Sequence, residues 1–156
     1  MASAKSDLLK GLSEDEVARL TTLGTSVTLA GGETLFRLGT DADRAYLVVS
    51  GRIALTLPIQ IRKGEEEVVV EEALPGQTVG WSGLVPPHRF TLNAAAAVSS
   101  EVLALPRAAL FEHFATHPGV GQIVTRNLAA VIGHRLQVFQ TMWAREMQRM
   151  VESRYS

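Results

Sequence analysis

The chain has 156 residues, of which 46% are hydrophobic and 20% are charged, so it can bury the core of one domain. Its formal net charge of -1 excludes a general polyanion binder, and the absence of cysteine excludes disulfides, thiolate nucleophiles and cysteine-ligated metals. No apolar run approaches the roughly 20 residues of a membrane helix. The N-terminus lacks the apolar segment of a signal peptide, so we expect a cytoplasmic protein.

A short helix is predicted near the N-terminus. Ser13 lies three residues before Glu16, which is the spacing of a capping box. Val17 and Leu20 then fall on one helix face, and Gly24 ends the element.

Residues 26–105 have the pattern of a β-rich region. Short segments rich in β-branched and aliphatic residues alternate with Gly, Pro and Ser turns, and no helix intervenes. Strands are predicted at 34–37, 46–50, 52–61, 66–74, 90–98 and 101–105. Pro58 interrupts the third of these and indicates an edge or a bend. Such closely spaced short strands predict a rolled or closed antiparallel sheet.

From residue 107 the apolar period becomes helical. A short helix carries Leu110, Phe111 and Phe114, and Pro118 is placed to begin a second helix over about residues 120–151. Five apolar residues follow one another along this long helix at 4-3-4-7 spacing: Ile132, Leu136, Phe139, Trp143 and Met150. These residues form an apolar seam like that of a coiled coil, though only a few heptads long. One small roll cannot cover all of it, so the seam predicts a homodimer built on the long helix.

The order of elements and three motifs resemble a known family. Phe36, Gly39, Asp41, Tyr46 and Gly51 form the first motif, and Pro75-Gly76, Val79-Gly80 and Arg89 form the second. In the third, residues 133–138 resemble the long helix of bacterial members. Together they resemble the cyclic nucleotide-binding domains of catabolite activators and protein kinase A regulatory subunits. The resemblance implies an α+β fold: a β-roll (double-stranded β-helix, or jelly roll) at about 26–105, with helices at about 107–153, in one domain over 1–156.

The same resemblance implies a ligand site around the phosphate-binding segment of the family, residues 75–91 here, which we call the cassette segment. Eight residues are predicted to bind the ligand: Gly80, Trp81, Ser82, Arg89, Phe90, Thr91, Phe139 and Gln140. Three departures from the family's sequence pattern weaken the expectation that this site binds a cyclic nucleotide. Trp81 replaces the glutamate that binds the ribose, Phe90 replaces a small residue, and Phe139 and Gln140 replace purine-facing hydroxyls. An indole donates one hydrogen bond and accepts none.

Each candidate also has a structural interpretation. A guanidinium fits a phosphate as a fork, and Arg89 inside a roll would need an anion, but it can also be a surface residue after a turn. Trp81 can stack on a base or fill the site itself. Phe139 and Trp143 fit a core or helix interface better than a ligand contact.

The sequence gives little support for metal binding, catalysis or sequence-specific DNA binding. His113 and His117 have metal-ligand spacing on a helix, but Phe114 stands where a metalloprotease has its glutamate and no third ligand is evident. No nucleophile-elbow, Walker or dinucleotide motif occurs, so we expect no enzyme, no metal and no cofactor. Residues 118–156 carry five Arg and two Glu spread over the segment, and no helix-turn-helix follows the long helix, so we expect no sequence-specific DNA binding.

Two hypotheses remain at this point. In the first, the chain is a regulatory module whose small anionic ligand, a cyclic nucleotide or a relative, biases the long helix and through it a downstream partner. In the second, the roll has lost its ligand and serves as a dimerisation or scaffold module. The sequence names neither the ligand nor the downstream partner.

Overall fold

The computed structural model describes residues 6–155. Its helices are α1 (Glu14–Thr22), α2 (Arg107–Thr116) and α3 (Pro118–Ser153). Its strands are β1 (Thr25–Leu29), β2 (Thr34–Phe36), β3 (Arg44–Ser50), β4 (Ile53–Ile61), β5 (Gly64–Ala73), β6 (Thr78–Val79), β7 (Asn93–Ala96) and β8 (Ser100–Pro106). A 3₁₀ turn spans Trp81–Gly83, between β6 and β7. Residues 1–5 and 156, which the predicted domain includes, lie outside the described residues.

The strands form two antiparallel four-stranded sheets, in the orders β1-β8-β3-β6 and β2-β7-β4-β5. One cluster of buried side chains draws on both sheets, for example Val48 and Val102 from the first and Ile53 and Leu55 from the second. The core of the roll therefore lies between the sheets, and the predicted α+β fold with an antiparallel roll is confirmed.

Strands β3 and β8 are buried on both faces. Tyr46 and Val48 point into the roll, whereas Ala45 and Leu47 belong to a second cluster shared with the helices. Buried side chains of α1, α2 and the first half of α3, such as Leu20, complete that second cluster. The helices thus pack on the outer face of the β1-β8-β3-β6 sheet.

Helix α1 begins with the predicted capping box. The Ser13 hydroxyl accepts from the Glu16 N–H at 3.2 Å, and Glu16 Oε1 accepts from the Ser13 N–H at 2.9 Å. Hydrogen bonds to the carboxylate, chiefly from the Ser13 backbone N–H and then from the Ser13 side chain, favour its ionised form and lower the pKa of Glu16. Val17 and Leu20 are buried as the apolar spacing predicts.

Several strand limits differ from the sequence prediction. Strand β1, Thr25–Leu29, was not predicted, because within it only Leu29 is fully buried and the alternation is weak. The strand predicted at 90–98 is shortened to Asn93–Ala96, and the pair Thr78–Val79 forms a short strand of its own. Pro58 lies beyond the last β4 residue that pairs with β7, Thr56, so its missing N–H removes no bond to β7.

Helix α3 has 36 residues, which corresponds to about 54 Å. Its buried residues, from Val120 to Arg135, all lie in its first half, and beyond them it runs largely exposed. Within residues 6–155, no helix combines the length and the apolar character needed to span a membrane.

Candidate functional site

The cassette segment turns sharply at Gly80, directly after β6. Gly80 has a φ of 73°, in the left-handed region that side chains rarely adopt. A Cβ at this position would lie 3.1 Å from Phe90 Cε1 and 3.2 Å from both Phe36 Cε2 and Tyr46 Cδ2. Both the backbone conformation and the three surrounding rings therefore require glycine here.

Those rings fill the space beside the cassette segment. The rings of Phe36 and Phe90 stack with centroids 3.9 Å apart and planes 8° apart, and the Phe36 and Tyr46 centroids lie 5.8 Å apart. The cavity that remains, which we call the cassette cavity, measures about 10 Å³. It is lined by Phe36, Leu55, Gly80, Trp81, Ser82, Phe90, Thr91, Leu92 and Arg135. That volume is about the room that one water molecule needs.

Arg89 lies outside this cavity. Its side chain is 61% exposed, its Nη1 donates to the Gly39 carbonyl at 2.9 Å, and the same atom lies 3.5 Å from Asp41 Oδ1. Of the two interpretations of Arg89, the structure has the surface position after the turn. A guanidinium at the surface meets water, so it has no need of a bound anion. Its role as a phosphate contact stays a prediction.

The other predicted site residues divide into two groups. Five of them line the cassette cavity: Gly80, Trp81, Ser82, Phe90 and Thr91. The two from α3 do not: Phe139 packs, partly buried, against the core of the roll, and Gln140 is exposed. The structure thus brings together the cassette residues, and their contact with a ligand remains to be tested.

A buried ion pair links α3 to the roll. Arg135 Nη1 lies 2.9 Å from Glu71 Oε1 on β5, and His134 Nε2 lies 2.8 Å from Glu71 Oε2. The Arg135 side chain is only 9% exposed. Burial lowers the pKa of Arg135, whereas the charge of Glu71 raises it. Neither Nε nor Nη1 of Arg135 makes an aligned hydrogen bond with residues 6–155, so Nη1 meets Glu71 through charge alone.

Sequence reasoning missed both Arg135 and Glu71. A signal was present for the arginine: it lies four residues after Val131 and four before Phe139, on the face of α3 that packs on the domain. A charged residue on an apolar helix face needs a partner in the fold. Nothing comparable marks Glu71, which follows three other glutamates in β5, so its pairing became visible only in three dimensions.

Residues 26–117 match the family model described as the cyclic nucleotide-binding domain. The chain belongs to the cyclic nucleotide-binding domain family. Two solved structures, each 26% identical to it, have the same fold. The Thermus thermophilus catabolite activator protein matches with a TM-score of 0.72 over 89% of this chain and 62% of its own. The N-terminal domain of a Streptomyces coelicolor transcriptional regulator matches with a TM-score of 0.69 over 86% and 92%.

A curated relative is a larger protein, of which one segment is similar to this cyclic nucleotide-binding domain. Glutaminase 1 of Bradyrhizobium diazoefficiens is 29% identical over 136 residues, which cover 86% of this chain. The matched segment is 21% of the glutaminase, so the domain spans about a fifth of that protein. The predicted family membership is confirmed, and with it the fold of a regulatory ligand-binding module.

In this cyclic nucleotide-binding domain, the 3₁₀ turn of the cassette segment is held from two sides. Arg107 Nη1 donates to the carbonyls of Gly83 and Ala42, each at 2.8 Å. Gly83 lies so close to β3 that a Cβ there would overlap the carbonyl group of Arg44. The start of α2 and strand β3 therefore fix the position of Trp81 and Ser82.

Substituting Gly83 tests this placement. Gly83→Ala is expected to lower the free energy of unfolding by more than about 2 kcal/mol, since the turn must move off β3 to make room. The matched control is Gly133→Ala on α3, where a Cβ meets nothing within 4 Å. That change is expected to stabilise the chain by up to about 1 kcal/mol. Urea unfolding of both variants gives the comparison, and a Gly83→Ala variant as stable as the parent would contradict it.

Removing the acidic partner of Arg135 tests the buried ion pair. Glu71→Gln is expected to cost about 3 kcal/mol, because it leaves a buried guanidinium without a counter-charge. Glu66→Gln on the same strand is the control, since Glu66 is exposed, and it is expected to change stability by less than about 0.5 kcal/mol. The double variant Glu71→Leu/Arg135→Met should recover most of the loss. Thermal and urea unfolding measure all three.

The two histidines at metal-ligand spacing pack against each other instead. Their rings stack with centroids 4.2 Å apart and planes 7° apart. The pKa of His113 is lowered by desolvation and, to a smaller extent, by the charge of His117. Among residues 6–155, no three His, Cys, Asp or Glu side chains are grouped so as to hold a metal ion.

Proposed function

We propose that this chain is a non-catalytic regulatory module that acts through α3 and has weak or no affinity for cyclic AMP and cyclic GMP. The observation that carries the proposal is the Phe36–Phe90 stack beside the cassette segment, which leaves a cavity of about 10 Å³. Sites for small molecules usually measure about 300 Å³ or more. A nucleotide would have to displace Phe90 from a buried stack before it could enter.

Helix α3 is the element that would report such a displacement. Arg135 lines the cassette cavity, and Phe139 packs on the same core cluster as Phe36 and Phe90. A ligand that moves Phe90 therefore changes the contacts of α3 with the roll. This supports a two-state helix whose equilibrium a ligand or a downstream partner biases.

The exposed face of α3 supports a homodimer. Leu136, Trp143 and Met150 recur every seven residues and are 58%, 66% and 49% exposed. The other two residues of the predicted seam, Ile132 and Phe139, are partly buried against their own chain. The proposed interface therefore centres on the three exposed residues, which form an apolar stripe of the kind that monomers avoid.

A second candidate function is a dimerisation or scaffold module that binds no ligand. The same aromatic stack favours it, because Phe36, Phe90 and Tyr46 fill the roll as core residues do. In both candidates the chain works in the cytoplasm, without metal or cofactor, beside an unidentified partner protein. Similarity to a segment that makes up about a fifth of Glutaminase 1 supports a module that also occurs within larger proteins.

Ligand-dependent stabilisation separates the two candidates. A molecule that binds the native state but not the unfolded chain raises the unfolding temperature, and the rise grows with the logarithm of its concentration above Kd. Thermal unfolding should therefore be measured with a panel of cyclic mononucleotides and dinucleotides, beside native mass spectrometry of the purified chain for retained small molecules and dimers. A rise that depends on the concentration of one compound and not of the others supports the regulatory module. No rise with any compound, together with a stable dimer, supports the scaffold.

A further inference from the structure

A second opening lies on the other side of Arg135. It is a cleft of about 200 Å³ between the N-terminal segment, β5, the turn before β6 and α3. Its lining residues are Asp7, Lys10, Glu71, Gln77, Thr78, Ala130, Val131, His134 and Arg135. We call it the N-terminal cleft. It shares only Arg135 with the cassette cavity, so it is a separate site.

The acceptors in this cleft are already engaged. Asp7 Oδ1 accepts from the Thr78 hydroxyl at 2.5 Å, and its Oδ2 accepts from the Thr78 N–H at 3.1 Å. The two oxygens of Glu71 face Arg135 and His134, and the Gln77 side-chain oxygen accepts from the Leu74 N–H at 2.7 Å. Each carboxylate or amide oxygen of the lining therefore has a partner within the protein.

The polar groups of the lining that remain without a partner among the described residues are hydrogen-bond donors. Within residues 6–155, the Lys10 ammonium makes no ion pair and no hydrogen bond, and the Gln77 amide nitrogen has no partner. The Nε of Arg135, whose side chain is more than nine-tenths buried, also lacks an acceptor among these residues, whereas Nη1 faces Glu71. Donors in excess of acceptors select a ligand that only accepts hydrogen bonds.

We propose that the N-terminal cleft binds a small oxyanion, a phosphate or a compact carboxylate, between Lys10, Gln77 and the guanidinium of Arg135. The cleft has room for about seven waters, which suits a ligand of about that number of non-hydrogen atoms. Charged donors such as ammonium and guanidinium make the strongest hydrogen bonds to such oxygens.

The position of this site gives it a consequence for α3. Ala130, Val131, His134 and Arg135 all belong to α3, whereas Asp7 and Lys10 belong to the N-terminal segment. A bound oxyanion therefore ties the helix to the N-terminal segment. Because Arg135 also lines the cassette cavity, occupation of one site changes the affinity of the other, and the coupling is reciprocal.

Chemical-shift mapping tests the proposal directly. The full-length ¹⁵N-labelled protein is titrated with sodium phosphate, and separately with sodium succinate, against sodium chloride of equal ionic strength. We expect saturable shifts at residues 7–10, 77–78 and 130–135. Shifts with phosphate alone identify a phosphate site, and shifts with succinate alone identify a carboxylate site. Shifts centred on residues 81–91, or identical shifts with chloride, would overturn the assignment.

Variants of exposed residues make the test independent of folding. Lys10→Gln removes the unpaired ammonium at the rim and should weaken oxyanion affinity about fivefold. Lys63→Gln, on the exposed turn between β4 and β5, is the matched control and should leave affinity unchanged. Equal affinity in the two variants would contradict the site. Because the probes are not nucleotides, failure here is distinct from failure of the proposed function.

Discussion

Calorimetric titration of the purified chain with cyclic AMP or cyclic GMP is expected to show weak binding or none. Trp81 offers no acceptor where the family places a carboxylate, and loss of such a charged hydrogen bond costs about 1.5–3 kcal/mol. That alone lowers affinity roughly ten- to a hundredfold. Binding also requires the Phe36–Phe90 stack to open, because the cavity beside it measures only about 10 Å³.

Two variants show which residue limits binding. Arg89→Ala is expected to abolish whatever affinity remains, since Arg89 can leave Asp41 and Gly39 to meet a phosphate. Phe90→Leu, which keeps the core apolar but removes the stacked ring, is expected to increase affinity if the ring blocks entry. Submicromolar affinity in the parent chain would mean that the site is intact despite Trp81. Tight binding that is indifferent to Arg89→Ala would refute the assignment of the cassette segment.

Trp143→Glu is expected to convert a homodimer into monomers in sedimentation velocity. Trp143 is 66% exposed and lies between Leu136 and Met150 on the seven-residue stripe. In a two-fold dimer each protomer carries the substituted residue, so two like charges meet at the centre of the interface. A buried unpaired carboxylate costs several kcal/mol, enough to dissociate a dimer of ordinary affinity at micromolar concentration.

A control on the same helix separates this effect from loss of helicity. Thr141→Glu adds the same charge two residues earlier, about 160° away around the helix, on an exposed position. It should leave the dimer intact and the circular dichroism of both variants equal. If the Trp143→Glu variant stays dimeric, the stripe on α3 is not the interface. If the parent chain is a monomer at all concentrations, the proposed dimer itself is wrong.

Much of the fold could be predicted from the sequence because its determinants are local. The Ser13–Glu16 capping box, the Gly and Pro turns of residues 26–105 and the change to a helical period after Pro106 each depend on neighbours in the chain. The motifs of residues 36–51 and 75–91 then identified the family, which the match over residues 26–117 confirmed. Strand β1 escaped prediction because its alternation is weak and the strand it pairs with, β8, lies far along the chain.

The state of the candidate site was decided by tertiary structure. Stacking of Phe36 on Phe90, the outward turn of Arg89 to Gly39 and the pairing of His134 and Arg135 with Glu71 join residues that are distant in sequence, 63 apart for His134 and Glu71. The α3 seam was likewise divided by the fold: Ile132 and Phe139 pack on their own chain, and Leu136, Trp143 and Met150 stay exposed. Periodicity marks apolar residues on a helix, but only the packing of that helix on the roll determines which of them are covered.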